Sequence, residues 1–123
     1  MNHLLQLLRL PKTTKATKKS DVKRAKMSAI AMTKRGKILA FANNRKLYGH
    51  KRKFTQHAEE ALIAKLHNIK AFKRYNKIII LVVRINRDGV AMAKPCKTCQ
   101  CMLRKYSVDV FYTSAIGTII KLK

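Results

Sequence analysis

Acidic residues are the scarcest chemistry in this chain: Asp21, Glu59, Glu60, Asp88 and Asp109 stand against 29 Lys and Arg, for a net charge of +24. An A/T-rich coding sequence could inflate Lys, but it would raise Glu as well, so the shortage of acids is the more telling half. A field this positive draws in polyanions. Cysteine is also scarce. Three residues, an odd number, exclude a disulfide framework and read as reduced thiols or metal ligands in a reducing, intracellular compartment. No apolar run approaches the roughly 18 residues of a membrane span. The first residues lack the basic start and the small-residue cleavage site of a secretory signal. No internal repeat is visible. Against these absences, 47% of the 123 residues are apolar, which excludes wholesale disorder and suits one small domain.

Residues 1–10 (MNHLLQLLRL) predict a short amphipathic helix before Pro11, with Leu4, Leu5, Leu7, Leu8 and Leu10 facing a core. The acid-poor first 26 residues would also suit an organellar transit peptide. From Lys12 to Lys26, seven basic residues meet one acid, Asp21, as in a solvated helix or linker. Residues 1–26 therefore read as a basic N-terminal helix or extension, and 27–123 as the domain. Within it, 27–33 and 37–42 predict a hairpin turned at Lys34-Arg35-Gly36, with glycine free to take positive φ. Residues 43–56 read as a polar loop. Residues 57–67 carry Ala58, Ala61, Leu62, Ile63 and Leu66 at helical spacing. The run IIILVVRI (78–85) predicts a strand buried on both faces, followed by a turn at 86–89. Pro95 opens a second helix to about Lys105. Residues 108–114 and 118–122 predict strands joined too tightly for a parallel crossover, so they should pair antiparallel. The order β-β-α-β-α-β-β gives one five-stranded mixed sheet with helices packed on it.

Two clusters begin the two helices: His57-Ala58-Glu59 and Pro95-Cys96-Lys97-Thr98-Cys99. Unsatisfied N–H groups and the positive end of a helix dipole face outward there, which favours thiolates. Cys96 and Cys99 are neighbours on one helix face and can share a tetrahedral metal. One His and two Cys leave a fourth position open to water, as catalytic zinc sites do. Glu59 stands two residues beyond His57, in reach of that water. The plainer readings are two small core cysteines beside Met102 and Leu103, a redox pair, or a structural zinc site completed by His50 or His67. Cys101 lies off the Cys96 face and reads as packed.

H-x-E followed by P-C-x-x-C is the signature of zinc deaminases. In motif order and element order over residues 27–122, the chain resembles the cytidine and deoxycytidylate deaminase superfamily, which includes tRNA adenosine deaminases and DNA- and RNA-editing relatives. The resemblance implies a three-layer α/β/α cytidine-deaminase-like fold with a C-terminal antiparallel hairpin. It also implies Zn2+ on His57, Cys96 and Cys99, with Glu59 as the catalytic proton shuttle. Asn44, or Asn43 in the alternative register, matches the substrate-contacting Asn, and Ala58 the position whose N–H meets the base carbonyl. His57 resembles the deoxycytidylate and tRNA-editing branches, whereas the terminal hairpin resembles the free-nucleoside branch. Lys94 stands where many members have Ser, Thr or Glu.

The loop 45–56 sets Arg45, Lys46, Lys51, Arg52 and Lys53 among Tyr48 and Phe54. Cations could hold phosphates there while an aromatic stacks on a base; the plainer reading is a solvated loop with tucked aromatics. Arg45 and Tyr48 are the chosen substrate contacts from this loop, and Tyr112, near the expected mouth, is a third. The expected activity is conversion of cytosine to uracil in single-stranded DNA or RNA. The alternatives are a tRNA adenosine deaminase, a free dCMP or cytidine deaminase, and a non-catalytic zinc-containing nucleic-acid-binding module. A homo-oligomer stays open, and no membrane partner is expected.

Overall fold

Strand β5 (Ile78–Asn86) is the spine of the domain. Its apolar run contains neither Gly nor Pro, and alternation along a strand sends neighbours to opposite faces. Ile78, Ile80 and Val82 enter one buried cluster, while Leu81, Val83 and Ile85 enter another. This is the two-sided burial expected from the run. The computed structural model describes residues 26–48, 53–86 and 89–122.

On one side β5 pairs antiparallel with β1 (Lys26–Thr33), from Lys26↔Ile85 to Thr33↔Ile78. On the other it pairs parallel with β7 (Val108–Thr113). The edges are β2 (Ile38–Asn43), antiparallel to β1, and β8 (Ile119–Lys121), antiparallel to β7. The sheet order is β2-β1-β5-β7-β8. The expected mixed sheet and its terminal antiparallel hairpin are both present. Gly36, in the β1–β2 turn, takes φ 93° as anticipated.

Two expectations need correction. A sixth strand, β6 (Gly89–Ala91), folds back on β5 with Asn86 opposite Gly89. Residues 87 and 88 of the expected turn lie outside the described part. Thr113, fully buried, secures this arrangement: its hydroxyl donates to the Ala91 carbonyl at 2.7 Å, and its carbonyl accepts the Ala93 N–H at 2.8 Å. The stretch 43–56, read as a loop, contains β3 (Arg45–Tyr48) and β4 (Lys53–Gln56), a separate antiparallel pair. Local pairing satisfies backbone groups that a loop would leave to water, and four-residue strands are too short to show periodicity.

Helix α1 (Ala58–Asn68) buries Ala58, Leu62, Ile63 and Leu66. Lys70, in the left-handed region at φ 57°, turns the chain into α2 (Ala71–Arg74). Helix α3 (Lys97–Leu103) is shorter than the 95–105 expected, because Cys96 is its cap and Pro95 precedes it. The Pro95 carbonyl accepts the Gln100 side-chain N–H at 2.8 Å. All three helices feed the first cluster, whereas the second (Ile30, Met32, Leu81, Val83, Ile85, Phe111) is built by strands. The helix expected over 1–10 lies outside the described residues. At the β2 edge, Lys65 donates to the Phe41 carbonyl at 2.8 Å and lies over its ring, which shields an edge open to further pairing.

Candidate metal centre

His57 and Cys96 occupy equivalent places. Each is the extended residue that caps a helix, with φ −70°, ψ 146° and φ −68°, ψ 167°. Their carbonyls accept the first helical bonds, from Ala61 at 3.1 Å and Gln100 at 2.9 Å. Neither side chain makes the capping hydrogen bond that Ser or Asp would make. Both therefore point at each other and at Cys99, which sits in the first turn of α3 on the Cys96 face.

Nδ1 of His57 lies 3.2 Å from Sγ of Cys99 and 3.6 Å from Sγ of Cys96. The three donor atoms fall within 4.8 Å of one another. A tetrahedral ion with bonds of about 2.3 Å to sulfur and about 2.1 Å to nitrogen sets these donors about 3.6 Å apart. The donor set and its spacing fit zinc. Cys99 is buried, whereas His57 and Cys96 are exposed, so the site is walled on one side and open on the other.

Glu59 lies in the first turn of α1 and is 2% exposed. Its Oε1 is buried without a hydrogen-bond partner. Burial raises its pKa, against the opposing pull of its own backbone N–H, the Cys99 thiol and His57. Burial likewise pushes the Cys99 thiol up, and the neighbouring Glu59 carboxylate adds to it. Both shifts come first from holding ionisable groups in a dry pocket. A divalent ion at the donor set would reverse them.

The other expected residues fall in varied places. Ala58, 1% exposed, is the first residue of α1. Asn44 is 5% exposed and clamps β1: its N–H donates to the Met27 carbonyl at 3.1 Å, and its Oδ1 accepts the Met27 N–H at 3.0 Å. Asn43, the other register, has a buried Oδ1 with no partner. Arg45 and Tyr48 are on β3, placed by backbone pairing with Gln56 and Lys53; their side chains lie outside the described part. Tyr112 is 8% exposed within the first core cluster, so its ring packs inside instead of standing at an open mouth. Ser114 organises the β7–β8 turn, accepting the Thr118 N–H at 3.1 Å.

Cys101 is exposed, not packed as expected, because α3 turns that position outward. His67, weighed as a fourth ligand, is at the far end of α1 bonded to Tyr106; His50 lies outside the described residues. Sequence reasoning missed Thr113, since a threonine ending a strand carries no signal of what it bonds.

The family described as the cytidine and deoxycytidylate deaminase zinc-binding region matches residues 2–115. A search of curated proteins finds no match. Among the described residues, no helix is long and apolar enough to cross a membrane. Zinc is the metal that both the family and the donor set support. The match spans most of the chain and its His, Cys and Cys meet at one point, so the chain belongs to the cytidine and deoxycytidylate deaminase zinc-binding family.

Proposed function

We propose that the protein is a hydrolytic deaminase that converts cytosine to uracil within a single-stranded nucleic acid. The observation that carries the chemistry is the buried, partnerless Glu59 Oε1 beside the His57, Cys96 and Cys99 donor atoms. His57, Cys96 and Cys99 would hold the zinc, which supplies a water acidified toward neutral pH when it is bound. Glu59 moves the protons. Its carboxylate takes one from water as the water oxygen bonds C4 and delivers it to the ring nitrogen N3, then takes a second from the new C4 hydroxyl and passes it to the amine as the C4–N4 bond breaks. Water and cytosine thus become uracil and ammonia. A buried carboxyl beside the donor set is suited to both halves of that transfer. The Ala58 N–H, one of the first-turn donors a helix leaves unpaired, would meet the base carbonyl.

The polynucleotide carrier rests on the +24 charge, which exceeds anything a mononucleotide needs to be held. A second reading, a free dCMP or cytidine deaminase, has the antiparallel β7–β8 hairpin in its favour, since that ending resembles the free-nucleoside branch. The test compares single-stranded DNA, duplex DNA, transfer RNA and free dCMP as substrates for the zinc-loaded protein. Glu59→Ala runs alongside, and products are scored by mass for loss of an amine and gain of oxygen. Conversion of a polynucleotide but not of dCMP is the expected result. Conversion of dCMP alone supports the second reading, conversion of adenine in transfer RNA reassigns the base, and retention of nucleic acid without turnover leaves a binding module.

A further inference from the structure

Helices α1 and α3 start at the metal donors and run to a common far end. The eleven residues of α1 span about 16 Å at the rise of an α-helix. Where the two helices finish, His67 Nε2 lies 2.9 Å from the Tyr106 hydroxyl, and Phe72 stacks on Tyr106 with centroids 4.6 Å apart. Around this ring cluster stand Lys70, Lys73 and Arg74 after α1 and Arg104 and Lys105 after α3, all exposed. The basic β1–β2 turn lies at the same end of the sheet, since Thr33 pairs with Ile78. Among the described residues, the only acid here is Asp109, and Lys77 meets it at 3.3 Å. An open pocket of about 270 Å³ lies against Tyr106, lined also by Leu103, Arg104, Asp109, Lys121 and Leu122.

Cations at a helix C-terminus complement its dipole, which accounts for Lys105 but not for Lys121, which sits on a strand. Nor does the dipole explain why Arg104 and Lys121 line one concavity with Tyr106, whose one acidic lining residue, Asp109, is met by Lys77. We propose that this end is a second nucleic-acid contact, gripping the phosphodiester backbone of the same single strand whose base enters the metal centre. Lys and Arg spaced over such a surface suit a chain of phosphates, and Tyr106 at the pocket wall offers a base or sugar an apolar edge. A lipid surface is flat and takes projecting apolar side chains, whereas this site is concave. The inference rests on the polynucleotide reading above and adds where the strand is held.

The test combines Arg104→Gln, Lys105→Gln and Lys121→Gln, all exposed positions outside the metal donor set, lowering the net charge from +24 to +21 (24 − 3). The zinc-loaded protein is titrated with a single-stranded oligonucleotide long enough to reach both ends, at several salt concentrations, and with a trinucleotide carrying one cytosine. The triple variant should bind the long strand about tenfold more weakly, with a log–log salt slope smaller by about 2. Zinc content and trinucleotide turnover should match wild type. Wild-type binding with no change in the variant would overturn the second contact and leave the polynucleotide reading standing. Failure of wild type to bind any strand would remove both. Binding of wild type to phosphatidylserine vesicles in place of strands would overturn the proposal in favour of a membrane.

Discussion

The two ends of helices α1 and α3 are built from the same backbone and used in opposite ways. At the N-terminal end, His57 and Cys96 cap their helices without side-chain bonds, and Glu59 keeps a buried oxygen unpaired. At the C-terminal end, His67 and Tyr106 bond each other, Phe72 stacks on the pair, and cations face the negative helix ends. The second end contributes to holding the helices together. The first gathers His57, Cys96, Cys99 and the buried Glu59 at one point, which is what makes it a site for chemistry.

The largest expected effect is at Glu59. Glu59→Gln should lower turnover by at least about 10²–10⁴-fold, the usual worth of a general acid–base group, with zinc content unchanged. The same substitution should stabilise the metal-free protein above acidic pH. The carboxyl's pKa is raised on folding, so the folded state holds the proton longer and wild-type stability falls as pH rises above the unfolded value near 4.5. Urea midpoints of the two proteins across pH should converge in acid and separate toward neutrality. A variant less stable than wild type at neutral pH would mean that Glu59 is well satisfied.

At the same end, Cys99→Ser should abolish stoichiometric zinc while the far-end contacts persist, as read by metal analysis together with circular dichroism. In the core that joins the ends, Leu66→Ala removes a side chain that is 0% exposed and should cost about 2–5 kcal/mol in denaturant unfolding. At the far end, Tyr106→Phe deletes one partly exposed hydrogen bond and should cost about 0.5–1.5 kcal/mol with normal zinc loading. A loss of zinc there would show that the two ends are coupled. Smallest is Lys77→Ala. The pair with Asp109 is largely solvated, so the change should stay within about 0.5 kcal/mol in the same unfolding experiment.

The N-terminal end was more legible in the sequence than the far end, for a physical reason. Metal chemistry demands particular atoms at short helical spacings, and His57, Glu59, Cys96 and Cys99 display those in one dimension. The spine was equally plain, because a β-branched run buried on both faces has no competing reading. The His67–Tyr106 bond joins positions 39 residues apart, and neither residue type announces a partner. β6 and the β3–β4 pair were invisible because strands of three or four residues leave no period. Cys101 was misplaced since helical spacing puts it off the Cys96 face without saying that solvent lies there. Asn43 and Asn44 show a further limit: adjacent identical residues look alike in the sequence, yet Asn44 is tied to Met27 while the Asn43 Oδ1 is buried without a partner.

The most direct test is to strip the protein with a chelator, restore one equivalent of zinc, and follow cytosine-to-uracil conversion in a single-stranded oligonucleotide by mass. Conversion should vanish on stripping, return with zinc, and never return in Glu59→Gln. Conversion that survives in Glu59→Gln at the wild-type rate would contradict the role given to that carboxylate.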